Sequence, residues 1–181
     1  MKRIFIGSFI DSRVLKKHYT EIKKDLSGTL SCSWVKPENF HITYKFIGNV
    51  EEIKVEEIKD KLSNLNKEIE VQIVVKGIGI FPNIDQPRIL YFKVEENPTL
   101  TDINKYVEDA MANLGFKREI KKFIPHITIA RIKEVKVKPF LEKLKKYENT
   151  IFFKQKTITV DIIESILNPT GAIYKKLWKL I

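Results

Sequence analysis

Two stretches of this chain carry the same phrase, FHITYKFIG at Phe40 to Gly48 and PHITIAR at Pro125 to Arg131. The sequence contains three histidines, and two of them, His41 and His126, open an identical His-Ile-Thr. Imidazoles titrate near neutrality, so a pair can divide labour, one neutral to take a proton and one charged to give one. Transfer of a phosphodiester to water needs both roles. A base deprotonates the attacking water, an acid protonates the departing ribose oxygen, and donors hold the non-bridging oxygens where charge builds up. Threonine hydroxyls can be those donors, and no metal is required. His18 falls on the polar part of a helical pattern and is expected to take no part. A zinc site built from His18, His41 and His126 would lack close ligand spacing and cysteine partners.

Such a set works only if strands aim it. Side chains at i and i+2 of a strand share a face, so His41, Thr43 and Lys45 should project together, with Ile42, Tyr44 and Phe46 facing the core. His126 and Thr128 likewise oppose Ile127 and Ile129. The surrounding pattern predicts a strand over Arg3 to Ile10 and a helix through Leu15, Tyr19, Ile22 and Leu26 behind a Ser12 cap. It then predicts the His41 strand, a helix through Val55, Ile58, Leu62 and Leu65, and a long strand over Val71 to Phe81. A strand over Arg88 to Val94 should pair with that one. A helix follows through Leu100, Ile103, Val107, Ala110 and Leu114, with Thr99 and Asp102 as capping pair and Gly115 as stop. After the His126 strand come a short helix around Phe140, Leu141 and Leu144, an extended stretch over Thr157 to Leu167, a turn at Asn168 to Gly171, and a last strand over Ala172 to Trp178. Strands and helices alternate similarly in each half. The expected fold is α+β, with two pseudo-duplicated lobes, each an antiparallel sheet backed by helices, and one bilobal domain over residues 1–181.

Composition sets the boundaries. With 43% hydrophobic and 31% charged residues the chain is globular, and no apolar run approaches the length of a membrane span. Gly7 and Ser8 interrupt the apolar N-terminal stretch, so no export signal is expected. A single cysteine, Cys32, excludes an intrachain disulfide and fits a cytoplasmic location. The net charge of +10 points to a polyanionic partner or, equally, to a lysine- and glutamate-rich surface of the kind associated with heat stability.

The pair HITYKFIG and PHITIAR resembles the two-histidine phosphoesterase superfamily, in particular its bacterial and archaeal branch of RNA 2′,3′-cyclic phosphodiesterases, also named 2′-5′ RNA ligases. RIFIGSFI is similar to the family's opening strand, FPNIDQPRILYFKV to its central hairpin, and DIIESILNPTGAIYKKL to its closing segment. The resemblance implies a groove between lobes and metal-independent hydrolysis, without a cofactor, of a 2′,3′-cyclic phosphate on RNA ends or small cyclic nucleotides to a 2′-phosphate. It implies that His126 activates water, His41 protonates the leaving 3′ oxygen, Thr43 and Thr128 hold the phosphoryl oxygens, and Arg131 contacts the phosphate. Regular alternation puts Arg131 on the face of Ile127 and Ile129, so it reaches the groove only if the strand ends or bulges; otherwise it is a solvated strand-end charge. A monomer is expected.

Two other readings stand beside this one: an RNA-end binding module without turnover, and reversible 2′-5′ RNA ligation. Binding alone would not need an acid and a base. Lys45, on the face of His41, could touch an RNA backbone, and Lys117 to Lys122 could wall a basic groove. Phe46, Tyr91 and Trp34 could stack on a base or belong to the core, and none is assigned.

Overall fold

The computed structural model describes residues 1–169 and 171–178. Among them run β1 (Lys2–Phe9), α1 (Ser12–Leu26), β2 (Leu30–Trp34), β3 (His41–Val50), α2 (Glu52–Leu62), β4 (Glu68–Phe81), β5 (Ile89–Val94), α3 (Pro98–Asn113), β6 (His126–Val135), α4 (Val137–Lys145), β7 (Ile151–Thr159), β8 (Asp161–Asn168) and β9 (Gly171–Lys176). The predicted periodicities correspond to these elements, with local differences. Asp11, not Ser12, caps α1, because its carboxylate accepts the Arg13 N–H. Asn97 caps α3 by accepting from the Thr99 and Leu100 N–H groups, and Pro98 fills the first turn, so Thr99 and Asp102 lie inside the helix. Gly115 stops α3 at φ 88°, a conformation that disfavours other residues. β2 was not expected. The stretch Thr157 to Leu167 is two strands, broken at Val160 and divided between sheets. Asn168 pairs with Gly171 where β8 returns as β9; Thr170 of the expected turn lies outside the described residues.

Two antiparallel sheets result, ordered β3-β1-β8-β9 and β2-β6-β5-β4-β7. Counted from the His-Ile-Thr strands, β3-β1-β8-β9 corresponds to β6-β5-β4-β7, with β2 added beyond β6. The duplicated α+β architecture is therefore present, but the halves exchange parts. β2 and β4, from the first half of the chain, belong to the second sheet; α3 packs on β3 and α1 on β7. One continuous apolar core joins the sheets. Phe40, next to His41, packs edge-on against Phe92 of β5 at 6.1 Å between centroids, while Ile42 and Ile127 are fully buried beneath the two motifs. Burying each such side chain contributes on the order of 1.5–3 kcal/mol. That burial fixes which face of each strand turns outward. No helix among the described residues is long and apolar enough to cross a membrane.

Candidate active site

His41 and His126 are the first residues of their strands, and each is locked by the same local device. The Nδ1 of His41 lies 2.6 Å from the carbonyl oxygen of Asn39, and that of His126 lies 2.7 Å from the carbonyl of Ile124. A carbonyl can only accept, so in the neutral ring the proton sits on Nδ1 and Nε2 carries the free lone pair. Each imidazole also has an aromatic setting. Phe5 and Tyr174 lie 4.7 and 5.1 Å from the His41 ring, and Phe81 and Tyr91 lie 5.0 and 5.3 Å from the His126 ring. Gly79 makes the second setting possible: a Cβ there would sit 2.3 Å from the Tyr91 ring.

Both strands then bulge at the third residue after the histidine. In the pairing of β1 with β3, Ile6 faces Lys45 and Gly7 faces Thr43, which leaves Tyr44 without an opposite residue. In the pairing of β5 with β6, Leu90 faces Ala130 and Tyr91 faces Thr128, which leaves Ile129 over. The carbonyls of the extra residues are satisfied from outside these ladders. Asn104 donates to Tyr44 O at 3.0 Å, and the Val35 N–H donates to Ile129 O at 2.9 Å. Each bulge reverses the alternation. Ala130 and Ile132 turn inward, and Arg131 is exposed on the face of His126 and Thr128, a placement that regular alternation denies it and the bulge allows.

On β3 the reversal overturns two expectations. Lys45 turns inward and is 7% exposed, donating to Glu108 at 2.7 Å and to the carbonyl of Lys117 at 2.9 Å. It is therefore not a surface contact for RNA. Phe46, expected in the core, is 54% exposed, with the Arg3 guanidinium 5.1 Å above its ring.

His41, Thr43 and Arg131 line one groove together with Arg3, Phe5, Phe46 and Tyr174; Thr43 and His126 line the adjoining basin. Thr43 is common to both. Thr128 is half-buried on the His126 face opposite Tyr91 and lines neither. His18 is remote from the groove, edge-on to Phe152 and beside Glu21. Trp34 packs on Tyr19. Among the described residues no three His, Cys, Asp or Glu side chains gather at metal-binding distance. Tyr174, whose burial raises its pKa and keeps its hydroxyl protonated, was not singled out from the sequence. Its only sequence signal is its position in an alternating strand.

Burial displaces both imidazoles downward. It takes His41 from 6.5 to about 4, opposed by the Asn39 carbonyl and reinforced by His126 when that ring is protonated and by the cation of Arg131. His126 is lowered by burial and pulled back by the Ile124 carbonyl. Both rings are therefore neutral near pH 7 in the empty cleft, with Nε2 lone pairs and the cation of Arg131 in reach of an anion.

The family description LigT like Phosphoesterase matches this chain twice, over residues 10–91 and 93–174, in keeping with the duplicated sheets. A protein of Aquifex aeolicus named RNA 2′,3′-cyclic phosphodiesterase is 34% identical over 95% of this chain and 93% of its own. One of Archaeoglobus fulgidus with the same name is 34% identical over 97% of each. Among solved structures, TT0787 of Thermus thermophilus shares the fold with a TM-score of 0.79 at 21% identity, covering 98% of this chain and 96% of that one. E. coli LigT in complex with 3′-AMP does so at 0.77 and 15% identity, covering 98% and 95%. With both halves matched and relatives alike over nearly their whole length, the chain belongs to the LigT-like phosphoesterase family.

Proposed function

We propose that this protein hydrolyses the 2′,3′-cyclic phosphate of RNA ends or small nucleotides to a 2′-phosphate, residues 1–181 acting as one bilobal catalytic domain. The carrying observation is that both histidines donate Nδ1–H to a carbonyl and keep Nε2 free, His41 in the groove and His126 in the basin that adjoins it, with Thr43 lining both. The names of the relatives support the same substrate class.

In the reaction, His126 Nε2 accepts a proton from water as its oxygen bonds to phosphorus. The bond from phosphorus to the 3′ oxygen breaks, and His41 gives its proton to that oxygen, which leaves as the 3′-hydroxyl. Thr43, Thr128 and Arg131 hold the phosphoryl oxygens as charge accumulates on them. His41 must be charged to act, although the empty cleft disfavours that state. The incoming phosphate supplies the negative charge that offsets the repulsion from Arg131, and an imidazolium formed under that constraint is a strong acid. The chemistry needs no metal. One chain provides every group, which supports a monomeric working unit, and the unpaired Cys32 supports a reducing, cytoplasmic compartment.

The test is turnover of EDTA-treated protein on 2′,3′-cyclic nucleotides and on a short RNA ending in a cyclic phosphate, with products resolved. The expected product is the 2′-phosphate. A 3′-phosphate would reverse the leaving group, and phosphate-dependent binding without turnover would leave a binding module.

A further inference from the structure

Apart from Thr43 and His126 at its edge, the lining of the basin beside the groove has no part in the reaction above. The basin lies between Thr43 to Phe46 of β3, Asn104 and Glu108 of α3, and the segment 117–124 that leads into His126, and it has a volume of about 590 Å³. That is room for a nucleotide. It opens onto Thr43 and His126, so whatever fills it touches the reacting end of the substrate.

Three features give the basin a chemistry. Phe46 lines both the basin and the groove, whereas Arg3 lines only the groove. The guanidinium lies 5.1 Å from the ring centroid, and the ring remains half-exposed. One wall is basic. Arg118 and Lys122 are engaged with Asp109 and Glu96; Lys117 and Lys121 form no salt bridge among the described residues, although the charge of Lys121 acts on Glu119, which also lines the basin. The wall is also held in place, although it contains no regular secondary structure. The buried Lys45 donates to Lys117 O, and the buried Glu108 accepts from Lys45 and from the Glu119 N–H.

An aromatic ring and lysines outside any salt bridge around one basin, with the wall fixed by a buried ion pair, make the arrangement that receives a base and its phosphate from a single strand. Resting on the proposed hydrolysis, we infer that this basin binds the penultimate nucleotide of the RNA, the one that precedes the nucleotide bearing the cyclic phosphate. Its base stacks on Phe46 and its phosphodiester lies along Lys117 and Lys121. The protein is then a reader of RNA ends, preferring an oligonucleotide to a free cyclic nucleotide.

The test compares kcat/KM for a 2′,3′-cyclic mononucleotide and for a tetranucleotide ending in the same cyclic phosphate. Wild type should favour the tetranucleotide by about tenfold or more, the scale of one stacked base. Phe46→Ala should abolish most of that ratio and Phe46→Trp should keep it. Lys117→Ala/Lys121→Ala should flatten the salt dependence of the tetranucleotide reaction by a slope of roughly 0.7 per lost contact, and Lys138→Ala, an exposed lysine that does not line the basin, should not. A wild-type ratio near one, or a ratio indifferent to Phe46→Ala, overturns the inference. Loss of turnover on both substrates by wild type sinks the hydrolysis instead. Fluorescence anisotropy with a 2′-phosphate-ended tetranucleotide then reads the same Phe46 dependence without chemistry.

Discussion

β3 and β6 begin alike. Each has a histidine tied to the carbonyl two residues before it, a threonine two residues after it, and a bulge at the third residue. They then part, with Lys45 and Phe46 on β3 where β6 has Ala130 and Arg131. The shared positions serve a reaction that needs two proton carriers of one kind. The unlike positions face a ligand that is itself unlike at its two ends. Arg131 offers a guanidinium fork to a phosphate and Phe46 offers a ring. The inward neighbours differ accordingly: Ala130 is buried with no polar group to satisfy, whereas Lys45 is tied to Glu108 and to the basic wall.

The largest expected effect tests the likeness. His41→Ala and His126→Ala should each reduce turnover by roughly 10²–10⁴-fold with the melting temperature retained, the usual contribution of general acid or base catalysis. An aryl phosphodiester, whose leaving group needs no proton, should restore much of the rate to His41→Ala and none to His126→Ala; the reverse pattern would exchange the two roles. Next comes the inward difference. Lys45→Met leaves the Glu108 carboxylate buried and unpaired and should cost roughly 3–5 kcal/mol in urea unfolding, with Lys45→Met/Glu108→Leu recovering most of it. An equal loss in the double variant would show that packing, not charge, sets the cost.

A pH effect separates the two imidazoles. Between its ordinary 6.5 and about 4, the unfolded chain binds a proton at His41 that the folded chain refuses. Stability should therefore be full above pH 6.5 and fall as the pH drops through that window, by up to about 3 kcal/mol. His126 contributes in the same direction. His41→Gln should remove the larger part of the slope; a slope that persists would assign it to His126. The smallest effect concerns the outward difference. Arg131→Ala should lower kcat/KM by roughly 10- to 100-fold, the scale of a charged hydrogen bond, and Arg131→Lys should recover only part of it.

The motif faces were legible because a strand has period two and Ile42 and Ile127 had to be buried. Past Thr43 and Thr128 that rule failed, since a bulge has no residue signature: Tyr44 and Ile129 are ordinary strand residues. Hence Lys45 was expected outside and Phe46 inside, while Arg131 could be placed correctly only by supposing a bulge. Helix starts shifted by one or two residues because Asp11 and Asn97 compete with Ser12 and Thr99 for the same capping geometry. The break at Val160 has neither glycine nor proline to mark it. β2, Leu-Ser-Cys-Ser-Trp, alternates apolar and polar residues, but it is short and its partner, β6, is about a hundred residues away in the sequence. Which strand joins which sheet was illegible altogether, because exchange between halves is decided by contacts and not by local preference.

That exchange sets an order in time. Glu68 to Thr159 is an unbroken run that supplies β4, β5, β6 and β7, so the second sheet can close on neighbours as they leave the ribosome. The first sheet cannot. Ile4 to Gly7 of β1 wait for Asp161 to Glu164, and Tyr174 arrives beside His41 later still. A nascent chain stopped at Val160 is thus expected to hold His126 in its finished setting while β1 presents a bare apolar edge, the kind of surface that holdase chaperones recognise.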